Sequence, residues 1–149
     1  RTRLEAELVE ADALSWEPGR TFGAILLDAP CSATGTFRRH PEVLYRARPK
    51  VIAESAELLA ALLARAAGWL KPGASLVYSV CSLEPEEGEK VIDTFLAGNP
   101  DFALVPPKAR ELPDFVTPHK RGWVRILPGL LEEQGGLDGF FMARLVRTR

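Results

Sequence analysis

The sequence predicts an α/β fold built on a mostly parallel sheet. Three observations carry that prediction. Phe22 to Leu27 and Ser75 to Val80 are β-rich apolar runs of the kind that lie buried in parallel sheets. A long stretch of helical periodicity separates them, and Gly139 to Arg147 reads as a closing strand. Strands alternating with helices make βαβ units, whose sheet is expected to be covered on both faces.

Taken in order, Ala6 to Ala11 alternates weakly and ends at Asp12-Ala13 before the turn signal Glu17-Pro18-Gly19, so it reads as a short strand. Phe22 to Leu27 is unbroken except for Gly23 and ends at Asp28. From Val51 to Leu70 the residues Leu58, Leu59, Leu62, Leu63, Ala66, Trp69 and Leu70 form one broad apolar face, which predicts a helix stopped by Pro72-Gly73. After the strand Ser75–Val80, Pro85 opens a second helix at the first-turn position that proline tolerates, and Gly98 sits where it should stop. Prolines 106, 107, 113, 118 and 128 break the following stretch into loops, with short strands at Phe102–Val105 and Val124–Leu127.

The chain has 149 residues, of which 46% are hydrophobic, enough for one domain with a real core. A formal charge of −1 gives no global basic bias, so any nucleic-acid contact has to come from a local patch. Two cysteines, Cys31 and Cys81, lack CxxC spacing and an accompanying histidine cluster, which argues against both a disulfide framework and a zinc site. No metal is expected, and a reducing cytoplasm is the simplest location. No apolar run approaches the roughly 18 residues of a membrane span, and the opening Arg-Thr-Arg-Leu-Glu is not a signal peptide.

Ligands of open α/β sheets bind beyond the carboxyl ends of the strands. Asp12, Asp28, Cys31 and Cys81 all fall at such ends in this reading. Four polar or reactive groups at one sheet edge make a constellation, although a lone cysteine is more often a small buried hydrophobe and a strand-end aspartate more often a turn cap.

Asp28-Ala29-Pro30-Cys31-Ser32-Ala33-Thr34-Gly35 resembles the DAPCSGTG motif of the Fmu/Sun family of RNA cytosine-5 methyltransferases. Tyr78-Ser79-Val80-Cys81-Ser82-Leu83-Glu84-Pro85-Glu86-Glu87-Gly88-Glu89 resembles its YSTCSLNPEENE motif, and Asp138 to Leu145 is similar to its closing DGFFIAKL strand. Ala33 and Val80 depart from the family's usual Gly and Thr.

The resemblance implies a partial Rossmann-like, S-adenosylmethionine-dependent methyltransferase fold with an antiparallel closing strand. It also implies methylation of carbon 5 of a cytosine in RNA, with 16S ribosomal RNA ahead of transfer RNA. That carbon is too weak a nucleophile to take a methyl group until a thiolate has added at carbon 6. By resemblance Cys81 is this nucleophile, and Cys31 helps the product's elimination. Asp28 would bind the cytosine amino group or ring nitrogen. Asp12 would hold the adenine end of S-adenosylmethionine, with Asp28 and Pro30 also at the cofactor site. The dipole of a helix starting near Pro85 would favour a thiolate at Cys81 if geometry brings them together. Glu84, Glu86, Glu87, Glu89 and Asp93 read as acids complementing that helix N-terminus.

Arg38 to Lys50 holds five basic residues, Arg38, Arg39, Arg46, Arg48 and Lys50, against the single acid Glu42, a net +4 directly after the first cysteine motif. It is a candidate phosphate contact for RNA, and otherwise a solvated loop. A whole cofactor domain would need an early strand with a glycine-rich turn, and no two glycines here are separated by one residue. The expectation is therefore that residues 1–149 are the C-terminal portion of one catalytic domain, with the first strands absent and the cofactor site incomplete. Two rivals stand: a cysteine-dependent hydrolase using His40 or His119, and a non-catalytic RNA-binding module on the same scaffold.

Overall fold

The computed structural model describes residues 4–149. Strand β1 (Phe22–Asp28) is followed by the short helix α1 (Val43–Arg46), the long helix α2 (Pro49–Gly68) and strand β2 (Leu70–Val80). Helix α3 (Glu89–Gly98) and strands β3 (Phe102–Leu104), β4 (Val124–Ile126) and β5 (Phe140–Arg147) complete the chain. The sheet runs β1-β2-β5-β3, with β4 also paired to β5. β1 and β2 are parallel, and β5 is antiparallel to each of β2, β3 and β4. Four strands therefore point one way, and the closing strand alone is reversed.

The core lies on one face of this sheet. Leu59, Leu62, Leu63, Ala66 and Ala67 of α2 and Val91, Ile92 and Phe95 of α3 pack over Leu76, Tyr78 and Val80 of β2 and Phe141, Ala143 and Leu145 of β5. Ile25 and Leu27 extend it onto β1. The opposite face is covered only in part, by the loop between β3 and β4. There Pro107, Leu112 and Val124 enclose a cavity of about 250 Å³ against Val77 and Met142. Leu26, which projects to that side, is 71% exposed, so β1 is not the doubly buried strand its composition suggests. It occupies a sheet edge, and both helices lie on the other face.

Three further expectations are corrected. Residues 6–11 form no strand: their backbone pairs with no neighbour in the sheet, and all six are exposed. Weak alternation makes a strand only where a free ladder is within reach. The long helix ends at Gly68, before Pro72-Gly73, because Trp69 closes it through Ala66 and Ala67 carbonyls and packs edge-on against Trp16. Pro72 and Gly73 lie instead in a bulge of β2, where Phe22 pairs with Leu70 but Ala24 pairs with Ser75. The last helix starts at Glu89, not Pro85, because Glu87 turns inward and Gly88 takes a non-helical backbone (φ −108, ψ −97).

Candidate active site

Pro30, which has no N–H to give, follows the last ladder bond of β1, the amide of Ala29 to the carbonyl of Ser79 at 3.1 Å. The chain turns there and brings Cys31 to the end of β2, where Cys81 waits. The two sulfurs are 3.6 Å apart, within hydrogen-bond range for thiols. Residues 50 positions apart in sequence thus form a pair at the carboxyl ends of two parallel strands. Asp28 and Pro30 are exposed at the same edge. Among the described residues the Asp28 side chain makes no hydrogen bond within the chain, which leaves it free for a ligand.

Burial pushes the Cys31 thiol up to about 12, against a smaller pull downward from the Ala33 amide; the nearby Cys81 and Glu87 add to the rise. Cys31 therefore keeps its proton at neutral pH and can donate it in a hydrogen bond to Cys81. Helix α3 starts eight residues after Cys81, with the turn 85–88 between them, so the expected help from a helix N-terminus has no geometry here.

The loops carrying the thiols are tied together atom by atom. Gly35 donates its amide to the carbonyl of Cys81 at 3.0 Å and accepts from Gly139 at 2.7 Å. A Cβ at Gly35 would stand 2.1 Å from the Gly139 oxygen, and one at Gly139 would stand 2.5 Å from Leu83. At Gly35 the obstacle is backbone and only glycine fits, whereas at Gly139 the tip of Leu83 would have to move aside. Thr34, 2% exposed, accepts the Leu83 amide at 3.0 Å. Ser82 accepts the Glu84 amide at 3.0 Å and donates to the buried carboxylate of Glu87, which Ser32 also engages. Arg125 stacks its guanidinium over Phe141, pairs with Glu89 at 2.6 Å and reaches the Ser82 carbonyl. Ala33 holds φ 59, a left-handed conformation that glycine adopts without strain.

Sequence reasoning singled out neither Glu87 nor the serines, although each cysteine is followed by a serine. The acids after Cys81, expected to complement one helix N-terminus, have separate jobs instead. Glu86 pairs with Lys90, Glu89 with Arg125 and Asp93 with Arg121, while Glu87 is fully buried.

Asp12 is not at a strand end. Its carboxylate accepts the Leu14 amide at 2.9 Å, in an exposed turn preceding β1. Arg38 and Arg39 both pair with Asp138, and Arg38 also reaches the Gly135 carbonyl, so these two cations fasten the first cysteine loop to the approach of β5. Lys50 lies 3.8 Å from Glu54. Arg46, Arg48 and the 81%-exposed Tyr45 remain on the surface. His40 pairs with Glu42 and His119 stacks on Trp123 at 4.6 Å, and among the described residues neither bonds a thiol.

An α/β sheet whose closing strand alone is reversed, with a thiol pair and an exposed carboxylate at its strand ends, places the chain in the Rossmann-like class. A model of the 16S rRNA methyltransferase RsmB/F family matches residues 2–146, and the chain belongs to that family. It is 41% identical over 151 aligned residues to ribosomal RNA small subunit methyltransferase B of Shewanella oneidensis, covering 99% of this chain and 33% of that protein. The namesake protein of Thermus thermophilus is 46% identical over 83% of this chain and 29% of its own length. The chain thus spans about a third of the curated relatives it matches. Among solved structures, NSun6 from Pyrococcus horikoshii with SFG superposes with a TM-score of 0.79 at 28% identity, over 96% of this chain and 35% of that one.

Proposed function

We propose that this chain carries the thiol side of the active site of an RNA (cytosine-5) methyltransferase that uses S-adenosylmethionine and acts on 16S ribosomal RNA in the cytoplasm. The observation that supports the reading best is the thiol pair, 3.6 Å apart at the sheet edge where β1 ends in the exposed Asp28. The names of the relatives supply the substrate class.

S-adenosylmethionine supplies the methyl group. The donor set fits one wall of its site: Asp28 and Pro30 offer a carboxylate and an apolar ring at the strand end, and no glycine-rich turn is present among these residues. Asp12 would have to release its own turn to contribute. Residues 1–149 accordingly contribute the cysteine-bearing wall of the catalytic site in this proposal.

The Cys81 sulfur, as thiolate, adds to carbon 6 of the cytosine, which makes carbon 5 nucleophilic. Asp28 binds the ring's amino group or nitrogen and holds the base against the sulfur. After methyl transfer carbon 5 gives up its proton to water as the carbon 6–sulfur bond breaks, and Cys31, protonated and in contact with that sulfur, donates a hydrogen bond to it as it departs. Arg46, Arg48 and Lys50 offer phosphate contacts, with Arg38 and Arg39 contributing through the charge Asp138 leaves uncompensated.

The test uses this sequence in a protein of the relatives' full length, incubated with methyl donor and ribosomal RNA. Cys81→Ala abolishes methyl transfer, whereas Cys31→Ala accumulates a protein–RNA adduct that survives a denaturing gel. An unshifted band for Cys31→Ala would overturn the division of roles. The hydrolase reading finds no histidine on either thiol, and the binding-module reading predicts salt-sensitive RNA binding with no adduct from any variant.

A further inference from the structure

Glu87 takes no part in the chemistry above, yet it is a fully buried carboxylate. Its neighbours Glu86 and Glu89 are matched by Lys90 and Arg125; Glu87 has serine partners instead. One oxygen accepts the Ser32 amide at 2.8 Å, and the other accepts the Ser32 hydroxyl at 2.5 Å and the Ser82 hydroxyl. Its own carbonyl accepts the hydroxyl of buried Tyr78 at 2.5 Å. Burying a carboxylate without a cation is costly unless its lone pairs are filled, and here they are filled by groups from two separate loops.

The identity of those groups gives the arrangement its meaning. Ser32 directly follows Cys31, and Ser82 directly follows Cys81. A single side chain therefore grips the residue after each thiol. We propose that Glu87 is a positioning residue for the thiol pair, setting the separation and relative orientation of Cys31 and Cys81 by holding Ser32 and Ser82 on one carboxylate. The inference rests on the reading above only in assigning the pair a chemical use.

A planar carboxylate can accept all three donors at once. A glutamine in its place has one acceptor and one donor face, so it must turn its NH₂ toward at least one of them. The thiol loops then lose a charge-assisted bond on one side, although the shape of the side chain is kept. The carboxylate also contributes to holding the proton on Cys31.

Cross-linking of the pair tests this in the chain itself. Diamide closes a disulfide by taking up two hydrogens at its azo group as two S–H bonds break and one S–S bond forms. The sulfurs must approach from 3.6 Å to about 2.05 Å, so the rate reads their mutual placement. Dividing that rate by the rate of single-thiol alkylation with iodoacetamide removes changes in exposure or ionisation. Glu87→Gln lowers the ratio at least tenfold while the melting temperature stays within a few degrees of wild type. Should Glu87→Gln fail to fold, Ser32→Ala and Ser82→Ala, each of which removes a single hydroxyl bond, must lower the same ratio. A wild-type ratio in the folded variants overturns the proposal. The assay needs neither RNA nor methyl donor, so its failure is separate from a failure of the adduct experiment.

Discussion

At the scale of the residue, the surroundings of Cys31 set its chemistry. Cys31 has little water around its sulfur and acidic groups nearby, and burial alone is the larger effect. With its thiol pushed up to about 12, only about one molecule in ten thousand carries a Cys31 thiolate at pH 8. Thiolates, not thiols, react with alkylating agents. Limiting iodoacetamide at that pH accordingly leaves Cys31 almost unlabelled, and its labelling climbs about tenfold per pH unit across the accessible alkaline range. Peptide mass mapping checks both statements, and early labelling of Cys31 would remove the basis for treating it as the proton-bearing partner. The same scale shows what a sequence conceals. The motifs made both cysteines and Asp28 legible, since those residues carry recognisable chemistry in a recognisable order. Glu87 was not legible, because one acid among five within ten residues announces nothing until the fold buries it.

At the scale of the element, apolar periodicity read well wherever packing obeys it. The helix expected over 51–70 is Pro49–Gly68, the strand expected at 75–80 lies within Leu70–Val80, and the closing strand 139–147 is Phe140–Arg147. Errors fell where tertiary partners decide the outcome: a would-be strand at 6–11 without a ladder, and a helix start displaced by the inward turn of Glu87. The connections between elements are the least legible of all, because their meaning lies in close approach. Gly35 is the clearest case, threaded between the Cys81 carbonyl and the Gly139 backbone. Gly35→Ala would place a methyl 2.1 Å from the backbone carbonyl oxygen of Gly139, the residue that leads into β5. Backbone cannot yield as a side-chain tip can, so the substitution costs about 3 kcal/mol or more. Thermal denaturation should then show a melting temperature lower by roughly 6–12 °C for a domain of this size. A shift below about 2 °C would mean that the loops separate easily, and that the thiol pair is less rigidly held than its hydrogen bonds imply.

At the scale of the whole molecule, the asymmetry of the sheet governs behaviour. Helices α2 and α3 seal one face, and the β3–β4 loop covers only part of the other. β1 sits at the edge with Leu26 71% exposed, and the register places Val77 beside it on the same open side. An edge strand with free backbone groups and an exposed leucine is a template for pairing with a second chain. Nothing among the described residues covers Leu26, which stays 71% exposed. Replacing Leu26 by lysine puts a charge on the open face without disturbing Ile25 and Leu27, which point into the core. Because Leu26 is already in water, the change in folding stability stays within about 0.5 kcal/mol. Self-association at high concentration, followed by sedimentation velocity, falls at the same time. Unchanged association with unchanged stability would place the contact elsewhere, whereas a large loss of stability would show that Leu26 is covered in solution by part of the chain itself.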